Sequence, residues 1–210
     1  MSAVPPTLIP HTKLAEEFSW LIENLVPGAT CALPVLHIYH GDGQEVVVNV
    51  PGDDNFDTMT RISIALGVVV NSLPDIKIAA IAFCSESTET SFNLDGIDVD
   101  EDQVVASYTA GGIEALTTLL GSERILQKDA AVIAYADIRD NHWTYHRSFT
   151  RADDGSVTWD ADEPPLRDVQ GMVNIALRTM MRAARNDKLG ELGAIVSTLS
   201  DYRVVGVQRS

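Results

Sequence analysis

The sequence contains little of the cysteine chemistry that often identifies a protein's function. It has two cysteines, Cys31 and Cys84, which lie in apolar surroundings. No CxxC pair and no Cys/His cluster has the spacing of a zinc site. We therefore predict reduced thiols, without a disulfide or a metal site. A chain of 210 residues is long enough to fold around its own core without such a crosslink.

Glycine-rich phosphate-binding loops are also missing. The sequence has no GxxxxGK[ST] and no GxGxxG after a strand, which argues against nucleotide hydrolysis and a doubly wound dinucleotide fold. Gly111-Gly112 is typical of a flexible entry to a helix, although free amides there are open to an anion. The acidic segments 53–57 and 98–102 lack the glycine and the bidentate glutamate of a calcium loop. No cofactor and no metal are expected.

Basic residues are scarce. Fifteen Lys and Arg against thirty Asp and Glu give a formal charge of −15. This charge repels a nucleic-acid backbone or an anionic membrane at long range. The sequence also lacks both a signal peptide and a run of roughly 20 apolar residues, the length of a membrane helix. We therefore expect a soluble, cytoplasmic protein that binds neither nucleic acid nor membrane.

The clearest structural signal is the segment from Asp129 to Asp160, which predicts three consecutive antiparallel strands. Ala130–Ala136 is a continuous apolar run, typical of a strand buried on both faces. Residues 142–150 alternate with a period of two, and Asp153-Asp154-Gly155 provides the turn before the third strand. The alternation predicts a polar face and an opposite face that carries Trp143, Tyr145, Arg147 and Phe149.

The rest of the chain alternates between helical and strand patterns. An apolar stripe at helical spacing predicts a first helix that ends at Pro27-Gly28. Two strands around Gly41-Asp42-Gly43 predict a hairpin. The remaining predicted elements are a buried helix (Met59–Leu73), a core strand (Ile76–Ser85), a polar surface loop with room for a short edge strand (85–102), a short helix (Gly111–Gly121) and two terminal helical stripes (Val169–Ala184 and Leu189–Leu199).

These elements predict an α+β fold with a mainly antiparallel sheet. The sheet comprises the hairpin, the core strand and the three-strand meander, is packed by helices, and is followed by a C-terminal αα-hairpin. Residues 1–165 form the sheet part and residues 166–210 the helical hairpin, which together make one structural domain. A mixed sheet is the alternative if the helix Met59–Leu73 is a crossover between parallel strands.

Arg147 is the least expected side chain in the sequence, because it interrupts an aromatic strand face. A lone buried charge is costly, so the guanidinium either stacks on Trp or Tyr at the sheet edge or anchors an anion in an aromatic groove. Four residues are candidate neighbours of such an anchor: His37, Tyr39, Ser85 and His146. The spacing of the histidines along their strands does not match a metal site.

A small basic patch is predicted on the penultimate helix, where Arg178, Arg182 and Arg185 fall on one side and Met180 adds an adaptable apolar contact. Our first hypothesis is a non-catalytic domain that acts by self-association or by binding a protein partner through these residues. The second is a small-molecule, anion-binding protein or a hydrolase with a groove over the aromatic face. An enzyme is the less favoured of the two, because the sequence contains no catalytic motif.

Overall fold

The computed structural model describes residues 7–25, 29–50, 58–73, 75–167, 171–186, 188 and 207–209. Its helices are α1 (His11–Glu23), α2 (Thr58–Ser72), α3 (Glu101–Leu120) and α4 (Met172–Arg185). Its strands are β1 (Val35–His40), β2 (Glu45–Asn49), β3 (Ile78–Phe92), β4 (Ile125–Asp137), β5 (His142–Arg151), β6 (Val157–Trp159), β7 (Leu166–Arg167) and β8 (Val207–Arg209).

The strands form one sheet in the order β6-β5-β4-β3-β1-β2-β8, and β7 also pairs with β5. Every pair of neighbouring strands in the described residues is antiparallel. The predicted α+β fold with a mainly antiparallel sheet is therefore confirmed. The mixed sheet is wrong, because β1 lies between β2 and β3, so α2 does not connect parallel neighbours.

Helices cover both faces of the sheet. Leu14, Phe18 and Ile22 of α1 are fully buried against one face, together with the rings of β4 and β5. On the opposite face, α2 and α4 pack over Leu36, Ile81 and other apolar residues. The central strands β3 and β4 are rich in alanine, because small side chains let helices approach the sheet closely. The two helical layers thus pack on opposite faces of the same sheet.

The polar segment after Ser85 is a strand, although its composition predicts a loop. Residues 85–92 continue β3 and pair one by one with residues 125–132 of β4. Backbone pairing with β4 satisfies the amides and carbonyls that a polar, solvated strand would otherwise present to water. Polar composition alone therefore does not predict whether this segment is a loop or a strand, because serine and threonine fit a strand that is solvated on both faces.

Helix α3 begins ten residues before the predicted start. Asp100 accepts a hydrogen bond from the Gln103 amide, and the Gln103 side chain accepts one from the Asp100 amide, which forms a capping box. Gly111-Gly112 marks a kink inside this helix, where Gly112 has a φ of 61°. The glycine pair thus bends α3 and does not start it.

The second helix of the predicted αα-hairpin, Leu189–Leu199, lies outside the described residues. Helix α4 packs into the core with Ala176, Leu177 and Met180, the last of which is 5% exposed. Met180 is thus a core residue in this fold, although we predicted it as a contact residue. The division at residue 165 stays a prediction, and α4 lies on the same sheet as the segments before it.

Polar contacts at both of its ends hold α1 against the sheet. Near its start, the Leu8 amide donates to Asp137 and the Ile9 amide donates to the Tyr135 hydroxyl. At its end, Arg151 donates to the Ile22 carbonyl and forms an ion pair with Glu86 at 3.2 Å, with both side chains largely buried. Helix α1 is therefore fixed at both ends, and its two flanks have defined positions over the sheet.

Candidate functional site

Helix α1 separates two groups of polar side chains. Its buried stripe recurs every fourth residue, so the positions on either side of the stripe face opposite directions across the sheet. Lys13 and Glu17 face β1 and β2, where they meet His37 and Glu45. The other flank faces β5 and β6 and forms one wall of a cavity. We describe the cavity first.

The cavity between α1 and the β5–β6 edge, here called the α1 groove, has a volume of about 450 Å³. Its walls carry three aromatic rings, from Trp20, Tyr145 and Trp159. Trp20 is 62% exposed, a large apolar surface for a single side chain. The remaining lining residues are His11, Thr12, Ala15, Glu16, Ser19, Glu23, Arg147 and Asp162.

The charge in the α1 groove is mainly negative. Three carboxylates (Glu16, Glu23 and Asp162) face one guanidinium, that of Arg147. The Trp159 indole donates to Glu23 at 2.6 Å, and the Tyr145 hydroxyl donates to Asp162 at 2.8 Å. Burial, followed by the hydrogen bond and charge of Asp162, raises the pKa of Tyr145 to about 12. Tyr145 therefore stays a neutral donor that orients the carboxylate.

Arg147 lies at the edge of this groove and stacks on an aromatic ring. Its guanidinium carbon is 5.2 Å from the centroid of the Trp159 ring, and its Nε donates to the Asp160 carbonyl at 3.0 Å. Both contacts engage the Arg147 guanidinium in interactions within the chain itself. The surrounding carboxylates make the groove a poor place for an anion, which is the ligand we expected from the sequence.

The opposite flank of α1 carries the polar cluster Lys13, Glu17, His37, Tyr39 and Glu45. The His37 Nδ1 atom lies 2.6 Å from Glu45 Oε1 and 4.0 Å from Glu17 Oε2. Lys13 Nζ contacts the other two oxygens, at 3.0 Å from Glu45 Oε2 and 3.6 Å from Glu17 Oε1. His37 and Tyr39 are 4% and 3% exposed, and their rings stack. Two carboxylates, one imidazole and one ammonium thus meet at the sheet surface.

The cluster changes the acidity of its members. Burial alone would raise the pKa of Glu45, but hydrogen bonds with His37 and Lys13 outweigh it and lower the pKa to about 2. Burial would lower the pKa of Lys13, yet the hydrogen bond and charge of Glu45 raise it. Burial and the charge of Glu45 raise the pKa of Tyr39. At neutral pH the cluster therefore holds an ionised Glu45, a charged Lys13 and a neutral Tyr39.

A second cavity, of about 530 Å³, lies across the ends of β3, β4 and β5 and is lined by His146, Arg147 and Ser148 among others. The Ser148 hydroxyl donates to the Glu89 carboxylate, and His146 Nε2 lies 3.5 Å from the same carboxylate. In a serine–histidine hydrolase, the nucleophilic serine donates to an imidazole that acts as its general base. Here the carboxylate lies between serine and histidine, which is the wrong order for that chemistry.

The structure brings together some of the predicted binding residues and separates others. Arg147 and His146 line the same cavity, and His37 and Tyr39 belong to the same cluster. Three strand steps separate β1 from β5, and His37 is in register with Trp143, four residues before Arg147, which places the cluster roughly 20 Å from Arg147. Ser85 is in register with Val132 and His146, so it lies roughly 10 Å from His146. No single site contains all five residues.

The predicted interface residues lie on or near the surface of α4, apart from Met180. Arg182 and Arg185 are exposed, and Arg178 is partly buried. Arg185 donates to the Ile138 carbonyl, so part of its side chain is used within the fold. Arg178 and Arg182 thus remain the predicted contact residues with side chains outside the core.

Several residues of these sites were missed from the sequence. The sequence pattern places Lys13 and Glu17 on the solvent side of a helix, and it places Glu45 at the start of a strand. The spacing of four between Lys13 and Glu17 predicts a local ion pair. Nothing in the sequence predicts that this pair faces His37, because the meeting depends on how α1 lies across β1 and β2.

Comparison with known proteins does not assign this chain to a family. Within the described residues, no helix has the length and apolarity needed to cross a bilayer. No known family model, curated protein or solved structure matches the chain.

Proposed function

We propose that this chain is a non-catalytic binding protein that takes a basic segment of a protein partner into the α1 groove. The observation that carries the proposal is the combination of exposed aromatic rings and carboxylates around one cavity. Arginine and lysine side chains stack on such rings while their charge pairs with nearby carboxylates. The groove offers both contacts at once, and its volume of about 450 Å³ accommodates one or two side chains.

The charge of the whole chain supports a basic partner. A formal charge of −15 attracts a cationic segment from a distance and raises its rate of association at low salt. The glutamate and aspartate of the groove then provide the short-range contacts. Among the described residues, Ser148 donates to a carboxylate and burial raises the pKa of the Cys84 thiol, so neither side chain is arranged as a nucleophile.

Binding of a basic peptide tests the proposal. The probe is a capped hexapeptide of alternating arginine and glycine, titrated by calorimetry and by tryptophan fluorescence of Trp20 and Trp159. We expect binding that weakens with salt, because the contacts are charged and solvent-exposed. The double variant Glu16→Gln with Asp162→Asn should bind at least about tenfold more weakly, equivalent to about 1.4 kcal/mol.

The matched control removes two charges elsewhere. Asp98→Asn with Glu114→Gln changes exposed residues at α3, and its affinity should stay within about twofold of the unmodified chain. Equal losses in both double variants would mean that net charge alone attracts the peptide, and the proposal would fail. Binding of inorganic phosphate or a glutamate-glycine hexapeptide that Arg147→Ala abolishes would support the anion anchor instead.

Self-association is the second candidate, and α4 provides the observation that favours it. Ile175, Arg178 and Arg182 occupy positions i, i+3 and i+7, so they share one helix face, and Ile175 is 44% exposed. This face offers the basic and apolar chemistry that the α1 groove of a second copy would accept.

Light scattering tests self-association directly. We expect the unmodified chain to show a larger mass at high concentration, and Arg178→Glu with Arg182→Glu to shift it to the monomer mass. A monomer in both samples would remove self-association and leave binding of a different protein as the proposal.

A further inference from the structure

We propose that Glu17, His37 and Glu45 form a binding site for one divalent transition-metal ion of the Zn²⁺ type. The three ligand atoms are Glu17 Oε2, His37 Nδ1 and Glu45 Oε1, and all lie within 4.8 Å of one another. Imidazole nitrogen with carboxylate oxygens is a donor set that suits Zn²⁺. The site lies on the flank of α1 opposite the α1 groove, so it is independent of the proposed binding function.

Lys13 contacts one oxygen of each carboxylate, here called the outer oxygen, and the other oxygen of each carboxylate lies next to His37. Lys13 Nζ contacts Glu45 Oε2 and Glu17 Oε1, which are not the oxygens that pair with His37. The remaining oxygen of each carboxylate faces His37 Nδ1, at 2.6 Å for Glu45 and 4.0 Å for Glu17. Lys13 therefore acts as a positioning residue that fixes both carboxylates from outside. A metal ion at the centre would leave these outer contacts in place.

An unsatisfied polar atom points to a ligand at this position. Among the described residues, Glu17 Oε2 is buried without a hydrogen-bond partner. Such atoms are rare in native structures, and an ion bound here would satisfy this oxygen.

The distances need only small changes to accept the ion. A tetrahedral Zn²⁺ with bonds of about 2.0–2.2 Å places its ligand atoms roughly 3.3 Å apart. The 2.6 Å and 4.0 Å separations around His37 Nδ1 lie on either side of that value, so each changes by less than about 1 Å. Glu17 Oε2 and Glu45 Oε1, which lie within 4.8 Å of each other, approach by up to about 1.5 Å. Glu17 is 40% exposed, which gives the ion a path from solvent.

Calorimetric titration of the full-length, tag-free chain with ZnCl₂ after chelator treatment tests the site. We expect one ion per chain with a dissociation constant on the order of 10 µM or tighter. Glu17→Gln should weaken binding at least about tenfold, because it replaces an anionic ligand with a neutral amide. Co²⁺ in place of Zn²⁺ should give a visible absorption spectrum of nitrogen and oxygen ligands.

The control variant is Glu114→Gln, an exposed glutamate on α3 that loses the same charge outside the cluster. Its Zn²⁺ affinity should equal that of the unmodified chain. Glu17 is on the helix surface, so Glu17→Gln is expected to fold, and Glu45→Gln serves as a second ligand variant. The proposal is overturned by Zn²⁺ binding no tighter than Mg²⁺, or by equal affinities in Glu17→Gln and Glu114→Gln.

Discussion

Replacing Asp137 with alanine is expected to lower the free energy of unfolding by about 3–4 kcal/mol. Asp137 is 1% exposed and lies at the end of β4, where its carboxylate is the centre of the β4–β5 turn. It accepts hydrogen bonds from the amides of Arg139 and Asn141 at 2.8 and 3.1 Å, and from the Tyr135 hydroxyl at 3.1 Å. Alanine leaves these donors buried without an acceptor, which costs more than the hydrogen bonds contribute on average.

The same carboxylate also holds the segment that leads into α1. The Leu8 amide donates to Asp137 Oδ2, and the Ile9 amide donates to the Tyr135 hydroxyl, which itself donates to Asp137. We therefore expect the amides of Leu8 and Ile9 to exchange hydrogen faster in Asp137→Ala. Both α1 sites depend on the position of this helix, so the turn supports them from a distance.

Urea unfolding of Asp137→Ala and Asp153→Ala measures this effect. Asp153 is an exposed aspartate in the β5–β6 turn, and its replacement should change stability by less than about 0.5 kcal/mol. Asp137→Asn should fall between the two, because one acceptor oxygen remains. If Asp137→Ala is as stable as Asp153→Ala, water or other polar groups replace the hydrogen bonds that the carboxylate accepts.

Glu45→Gln is expected to destabilise the chain by about 2 kcal/mol at pH 7, after a reduction for partial solvent screening. The folded state lowers the pKa of Glu45 from its ordinary value of 4.5 to about 2. A lowered pKa contributes stability above the unfolded value, and that stability is lost as the pH falls towards the folded value. The difference between the two proteins should therefore shrink between about pH 4.5 and pH 2.

Unfolding by urea at pH 7 and near pH 2.5, with chelator present throughout, measures this difference without a contribution from metal. Glu123→Gln is a suitable control, since Glu123 is exposed near α3 and its replacement should have little effect at either pH. If Glu45→Gln loses the same stability at both values, the charge of Glu45 is not what stabilises the cluster. A shape change caused by the amide would then be the explanation.

The sequence was most informative where a pattern is local. The alternation of residues 142–150 predicted which side chains of β5 share a face, and Trp143, Tyr145 and Phe149 are indeed buried in one cluster. Asp140 has a φ of 66°, a conformation that the short polar side chain of aspartate tolerates in a tight turn. The sequence was misleading in the polar stretch after Ser85, because the pairing that makes it a strand comes from residues about 40 positions away.

By itself the sequence determined the class of the fold, the charge of the surface and the side chains that face the core, since these follow from composition and periodicity. Only the tertiary structure decided which polar groups meet. Helix α1 crosses the sheet so that Glu17 reaches His37 on one flank and Glu16 lines the α1 groove on the other. These contacts depend on long-range packing, which brings residues that are distant in sequence onto one surface. A local sequence pattern does not predict such packing.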